Sequence, residues 1–346
     1  MMAFILHLLT VSCVFAFEPM TIDNFKARPI PAFAQKLTGQ DLVDYINIVQ
    51  PFFEADLNEM SEEEQKARLM SKRFIYAPEE RAEELVLAKD EKIPESFDAR
   101  TKWPECKSIK MVRDQSNCGS CWAVSGASAM SDRLCVQSNG TKQTILSDTD
   151  ILSCCGSFCG YGCDGGFPIK AWRYIVKSGV CSGGPYGEKD VCKAYAFHPC
   201  GRHKGQKYYG ECPDEYPTPK CRKTCTKGYK TKYAKDKIFG KTAYAVKNSV
   251  EAIQKEIMKN GPVQASITTY EDFSHYKKGI YVHTAGKETG GHAIKIIGWG
   301  VEKKVPYWIV ANSWNYDWGE NGHFRILRGK NECGIEEEVV AGMLKL

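Results

Sequence analysis

The chain has 346 residues, of which 26% are charged and 43% hydrophobic, the balance of a globular protein without low-complexity tracts. Its formal charge of +5 is mild for this length, and no Lys/Arg run is long enough to suggest a nucleic-acid partner. The basic stretch Lys220 to Lys237 is interleaved with Tyr and Thr and reads as a solvated surface.

Ala3 to Val11 is an apolar run too short to span a bilayer. Val14-Phe15-Ala16 then supplies a small-x-Ala cleavage pattern. Residues 1–16 read as a signal peptide, although no basic side chain precedes the apolar run. No other stretch is suited to crossing a membrane, so a secreted or lysosomal protein without a membrane partner is expected. The sixteen cysteines fit such an oxidising compartment. Removing Cys13 with the leader leaves an odd number, so at least one thiol stays unpaired. Spacing alone does not give the pairing. The pairs 118/121, 155/159 and 221/225 also have zinc-ligand spacing, but the compartment favours disulfides, and neither metal nor cofactor is expected.

Residues 17–92 are rich in charge and lack cysteine. Leu42, Tyr45, Ile46 and Val49 fall on one face of an amphipathic helix. Ser61-Glu62-Glu63-Glu64 is a capping box for a second helix running through Lys72. A polar, cysteine-free, helical preamble before a cysteine-rich body suggests a pro-segment, with the body spanning 93–346.

From Lys102 to Cys192 the dominant pattern is helical. Val124, Ala127, Ser128, Met130, Leu134 and Cys135 mark a helix that begins near Cys121. A cysteine in a helix's first turn faces unpaired N–H groups and the positive end of the dipole, both of which favour a thiolate. The alternative, a redox Cys-x-x-Cys with Cys118, lacks a surrounding βαβ pattern. Asn139-Gly140-Thr141 is a glycosylation sequon. Between Cys192 and Cys225 lies an insertion rich in Gly, Pro, Tyr and Lys.

Strand patterns take over after Lys241: Thr242–Val246, Val263–Thr269, His292–Gly298, Tyr307–Ser313 and His323–Leu327, interrupted by one helix at Val250–Lys259. His292 heads one run and Asn312 ends the next. A turn near Glu302-Lys303-Lys304 would bring the two together, across a cleft from Cys121. A thiol nucleophile needs a base and a group to orient that base, and these three residue types supply them.

The run Cys118-Gly119-Ser120-Cys121-Trp122 is the signature of papain and the cathepsins. With Gly290-Gly291-His292-Ala293 and Ala311-Asn312-Ser313-Trp314, it resembles the cathepsin B branch of the papain family of cysteine proteases over nearly the whole chain. The stretch Tyr307–Glu320 is similar to that of relatives in blood-feeding worms. The resemblance implies an α+β, papain-like two-domain fold: a helical left domain, a β-barrel-like right domain, a cleft between them and a helical propeptide, 17–92, that lies in the cleft as an inhibitor. It implies a peptidase acting on protein and peptide substrates, digestive in role, with haemoglobin or another dietary protein as substrate; monomer is the default. A catalytically inactive, cysteine-rich binding protein of the same fold is the rival reading.

Residue by residue, the resemblance implies Cys121 as nucleophile, His292 as base, Asn312 as its orienter and Trp314 as the shield over their hydrogen bond. Gln115, with the Cys121 N–H, implies an oxyanion hole. Gly165 and Gly166 match the glycine wall that binds a substrate backbone, and Glu338 the floor of the S2 pocket. The insertion at about 192–225 matches the occluding loop. It also accounts for the 171 residues from Cys121 to His292, more than the ~130–150 of papain and the cathepsins. In that loop the family carries two histidines that bind a substrate's C-terminal carboxylate. Here His203 matches the second, while Arg202 replaces the first. Arg202 is expected either to bind the carboxylate or to pair with Asp114 and pin the loop; it does not titrate, so acid-dependent loop opening and dipeptidyl carboxypeptidase activity are less secure than endopeptidase activity. The implied disulfides are Cys106–Cys135, Cys118–Cys163, Cys154–Cys221, Cys155–Cys159, Cys192–Cys225 and Cys200–Cys212. Cys181 and Cys333 are left either paired together or free.

Overall fold

The computed structural model describes residues 20–57, 60–76 and 91–346; the expected signal peptide lies outside them. The N-terminal segment opens with α1 (Ile22–Lys26), capped by Thr21, whose hydroxyl accepts the Asn24 N–H. In α2 (Gly39–Val49) the buried face is Leu42, Val43 and Ile46. Val43 joins the expected stripe, while Tyr45 and Val49 stay half-buried. Next comes β1 (Phe53–Ala55). The capping box opens α3 (Glu62–Ala67) as expected: Ser61 Oγ accepts the Glu64 N–H at 3.1 Å and Glu64 Oε2 accepts the Ser61 N–H at 2.9 Å. This helix stops at Ala67, short of the expected Lys72. The reason lies in the cleft, where Met70 leaves helical geometry to exchange two backbone hydrogen bonds with Gly291, at 2.9 and 2.8 Å.

The body begins with β2 (Phe97–Asp98) and α4 (Ala99–Lys102), followed by the helical half: α5 (Cys121–Gln137), α6 (Asp148–Cys154) and α7 (Pro168–Ser178). Residues 121–136 of α5 are all buried, the charged Asp132 and Arg133 among them, so the helix is enclosed on every side. Residues 185–232 contain neither helix nor strand. The β half follows with β3 (Tyr244–Ala245), α8 (Val250–Asn260), β4 (Val263–Tyr270), α9 (Glu271–Ser274), β5 (Tyr276–Tyr281), β6 (Glu288–Glu302), β7 (Val305–Ala311), β8 (His323–Leu327) and β9 (Val339–Ala341).

The strands form one sheet in the order β1-β5-β8-β7-β6-β4-β9-β3, with β2 also on β6. The hairpin expected between His292 and Asn312 is β6–β7, antiparallel, with Glu302 opposite Val305. Its two-residue turn, Lys303-Lys304, has φ of +48° and +69°, as a tight hairpin matching strand twist demands. His292 is not at the head of this strand. β6 starts four residues earlier, at Glu288, because Thr268, Thr269 and Tyr270 of β4 pair that far out. Strands β5 and β9 were not among the expected ones. Lys277-Lys278-Gly279 interrupts any apolar alternation in β5, and that strand is held by pairing with β1 and β8.

All six implied disulfides are formed. Cys121, Cys181 and Cys333 are free, so the last two do not pair. Two buried ion pairs join the halves through α5. Arg133 meets Glu256 of α8 at 2.5 Å, and Asp132 meets Lys295 of β6 at 2.6 Å. Removing one partner of such a pair strands a buried charge, so α5 and β6 are held in fixed relation.

Candidate active site

Cys121 is the first residue of α5. The N-cap Ser120 makes no side-chain bond to the helix; its hydroxyl is shared with Tyr195 at 2.8 Å. The N–H groups of Cys121, Trp122 and Ala293 favour the thiolate, but full burial outweighs them and pushes the Cys121 thiol up to about 12.

Across the cleft, the His292 ring nitrogen Nε2 lies 2.7 Å from Asn312 Oδ1. That oxygen also accepts the Ser313 N–H at 2.8 Å. An amide oxygen only accepts, so Nε2 carries the hydrogen. Nδ1 is then the basic nitrogen of the neutral ring, and it is buried without a hydrogen-bond partner. Burial pushes His292 down to about 4, against the Asn312 bond, which raises it. Trp314, 3% exposed, stacks near the imidazole with ring centroids 5.0 Å apart. Phe273 and Trp318 pack behind it. Aromatic rings thus pack beside the His292–Asn312 bond.

Gln115 is fully buried. Ser313 Oγ donates to its Oε1 at 2.6 Å, which turns the amide nitrogen toward the cleft. That nitrogen donates to Cys118 O at 2.9 Å and to the Arg68 carbonyl at 2.7 Å. Arg68 belongs to the N-terminal segment, so a peptide carbonyl of the same chain sits on this donor. The segment continues along the cleft through Met70, bound to Gly291, to Phe74. Gly165 has φ of +118°, and a Cβ there would lie 2.6 Å from Phe74 and 2.8 Å from Met70. Gly166 lies against the Trp122 ring at 2.7 Å by the same measure. Tyr76 reaches Glu337 and Glu338. Burial, a hydrogen bond to Glu337 and both carboxylates push its phenol up to about 12. Glu338 itself is half-buried.

The insertion closes the other end. His203 bonds Asp317 at 2.8 Å through Nδ1 and the Cys200 carbonyl at 2.9 Å through Nε2, and comes to 3.6 Å from Asp114. The Asp317 bond holds the His203 pKa above its ordinary value. Arg202 does not make the alternative pairing with Asp114. Its side chain is exposed and its guanidinium lies over Tyr208, 4.2 Å from the ring centre; Asp114 is already bound by Ser116 N–H and Asn315 Nδ2. Arg202, His203, Asp317, Trp314 and Arg68 line a cavity of about 490 Å³. Asn139 is exposed just beyond α5, with φ of +51°.

The structure thus brings together Cys121's helix, His292, Asn312, Gln115 and Trp314, with Gly165, Gly166 and Glu338 along one arm of the cleft and Arg202 and His203 along the other. Sequence reasoning did not find Arg68, Met70, Phe74, Ser313 or Asp317. Ser313, next to Asn312, was within sight; the others acquire meaning only from what they touch.

The sequence of this chain matches the papain family of cysteine proteases over residues 93–343. The chain belongs to that family and is a cysteine-type peptidase. Its similarity lies with the cathepsin B-like members. It is 48% identical to cathepsin B-like cysteine proteinase 1 of Ostertagia ostertagi, covering 98% of this chain and 99% of that protein. It is 49% identical to a gut-specific cysteine proteinase of Caenorhabditis elegans, covering 98% and 99%. Among solved structures, procathepsin B S9 of Trypanosoma congolense superposes with a TM-score of 0.73 at 35% identity, covering 90% of this chain and 99% of that one. The α+β papain fold follows from these likenesses and from the helices and sheet described above.

Proposed function

We propose that this protein is a cathepsin B-like peptidase in which Cys121 attacks the peptide carbonyl and His292 Nδ1 takes its proton. The observation that carries this reading is the 2.7 Å bond from His292 to Asn312 Oδ1, which sets the tautomer and leaves one basic nitrogen facing away from Asn312. The Gln115 amide and the N–H of Cys121 stabilise the oxyanion, and that a peptide carbonyl already sits on Gln115 supports the role. His292 returns the proton to the leaving amine as the acyl-enzyme forms on Cys121, and then activates the water that hydrolyses that thioester. Gly165 and Gly166 bind the substrate backbone, and Glu338 lets a basic P2 side chain enter beside an apolar one.

Residues 17–92 act as the propeptide. Support comes from Arg68 and Met70, whose backbones occupy the Gln115 and Gly291 positions, and from Phe74 over Gly165. The enzyme is made as a secretory precursor, works in a secreted or lysosomal setting on dietary protein, and carries a glycan at Asn139. The gut-specific name of one relative supports the digestive role. Endopeptidase activity is primary. Both His203 nitrogens are engaged, so capture of a substrate's terminal carboxylate falls to Arg202.

The test uses the processed enzyme at about pH 5 and about pH 7 on two quenched peptides with Arg at P2. One has blocked ends and the other a free C-terminus two residues past the cleaved bond. Thiol-dependent cleavage of both, no faster for the free-ended peptide, is the expected result. Faster cleavage of the free-ended peptide would make the enzyme a dipeptidyl carboxypeptidase. Absence of thiol-dependent cleavage would return the inactive binding protein.

A further inference from the structure

Strand β5 is an edge strand of the body, covered here by the N-terminal segment. On one side it pairs with β8, and on the other with β1. The ladder runs past β1 at both ends. The Ile280 N–H donates to Phe52 O at 2.8 Å, and the Asp56 N–H to His275 O at 2.9 Å. When residues 17–92 leave as the propeptide proposed above, β5 loses this neighbour and a row of its backbone groups is left unpaired.

The chemistry of the vacated edge can be read from what fills it. Gly279 has φ of +103°, and a Cβ there would lie 2.5 Å from Phe52 O, so glycine is what lets a second backbone come this close. The Phe53 ring is 4% exposed and lies between Tyr276 and Tyr281, with centroids 6.1 and 5.3 Å away. Both tyrosines are held from within the body. The Tyr281 hydroxyl donates to Asp272 at 2.6 Å and the Tyr276 hydroxyl to Gly279 O at 2.6 Å. The slot is thus built by the body rather than by its occupant. On the solvent side Lys278 meets Glu54 at 3.0 Å and Lys277 meets Asp56 at 2.7 Å. Lysines on an edge ordinarily fend off another strand. These two instead match acids two residues apart on a strand whose alternate side chains, Phe53 and Ala55, are buried.

The edge also leads into the cleft. Tyr276, at the head of β5, borders the cavity that holds Arg202, His203 and Trp314. The chain itself passes from Asp56 on this edge to Arg68 on Gln115 in twelve residues.

We propose that in the processed enzyme this edge is an exosite for protein substrates. By strand addition it takes an extended segment that alternates apolar and acidic side chains, with an aromatic ring for the tyrosine slot. That segment belongs to a part of the substrate other than the one being cut. The inference rests on the peptidase and propeptide readings above. It makes the enzyme favour proteins over short peptides through KM rather than kcat, because the segment touches none of the reacting groups.

The test uses the processed enzyme and a blocked quenched peptide, alone or joined by a Gly/Ser linker of about twenty residues to residues 50–57 of this chain. A second fusion carries Glu54→Lys/Asp56→Lys in that segment. The enzyme is wild type or Lys277→Glu/Lys278→Glu, and cleavage of the unlinked peptide by the variant at the wild-type rate reports its folding. Linking makes the second contact intramolecular, so the natural segment should lower KM of the wild type by about tenfold or more with kcat unchanged, and the charge-reversed segment by under about threefold. The variant should show the opposite preference. Equal KM for the two fusions in the wild type, or a gain with the natural segment that survives in the variant, would overturn the proposal. Fluorescence anisotropy of the labelled segment with the processed enzyme reads the edge without catalysis. Absence of saturable binding overturns the exosite. Saturable binding without thiol-dependent cleavage of the unlinked peptide overturns the peptidase reading and upholds the edge as a strand-binding surface.

Discussion

The side-chain amide of Gln115 donates to the backbone carbonyl of Arg68 at 2.7 Å, so the donor proposed for the oxyanion is occupied by the chain's own N-terminal segment. Gln115→Ala is expected to lower kcat of the processed enzyme by about 10²–10³-fold, the usual effect of removing one such donor, with a much smaller change in KM. It should also weaken inhibition by a peptide spanning residues 60–76. Steady-state kinetics on the processed form decide this; an unchanged kcat would remove Gln115 from the oxyanion hole.

Phe74 is 1% exposed, packed edge-on to Phe167 and against Gly165. Truncating a buried Phe costs about 3–5 kcal/mol, and each 1.4 kcal/mol is a decade in affinity. Phe74→Ala in the 60–76 peptide should therefore raise its inhibition constant on the order of 10²–10³-fold. A change under about threefold would mean that the Gly165 arm contributes little to holding the segment.

With the segment seated, burial holds the Cys121 thiol at about 12 and the His292 imidazole at about 4. Both shifts disfavour a thiolate–imidazolium pair in this covered state. Alkylation of Cys121 by iodoacetamide at pH 7 should be far slower in the full chain than in the processed enzyme.

The bond from His203 to Asp317 latches the insertion. His203 has a raised pKa, so its contribution is full below 6.5 and is lost as pH rises through the raised value. Asp317 has a lowered pKa, so its contribution is present above 3.8 and is lost as pH falls through the lowered value. The latch therefore holds from the mildly acidic range down to below 3.8 and loosens above neutrality. Asp317→Asn should remove the pH dependence of access to the cavity beside it, measured as the ratio of blocked-peptide cleavage at pH 7.5 to that at pH 5.

Lys295, three residues after His292, donates to Oδ2 of Asp132 on α5 at 2.6 Å, and Asp132 Oδ1 is buried without a hydrogen-bond partner. Lys295→Met leaves that carboxylate buried and alone, at a cost of about 3–5 kcal/mol. Differential scanning calorimetry should show a fall in Tm on the order of 10 °C. Asp132→Leu added to Lys295→Met should recover most of it, and failure to do so would show that the pair sets geometry rather than charge balance.

The chemistry-bearing residues were legible because their signals are local. Cys121 announces itself by a signature run at a helix start, and His292 and Asn312 by two β-branched runs with a short polar turn between them. The cysteine framework came from resemblance, since spacing cannot choose among pairings. Helix and strand ends were read less well. α3 stops at Ala67 because Met70 pairs with Gly291, and β6 begins at Glu288 because β4 extends to meet it. Those boundaries are set by partners more than 200 residues away in one case and about 20 in the other.

From the sequence alone came the helical half, the β half, the residue types of the site and the order in which they meet the chain. What only the tertiary structure decided is which groups are satisfied by which. Arg202 is drawn to Tyr208 and His203 to Asp317, and Arg68 lies on Gln115. Propensity and periodicity act over a few residues, whereas burial, ion pairing and the tautomer of a histidine depend on atoms brought together by the whole fold.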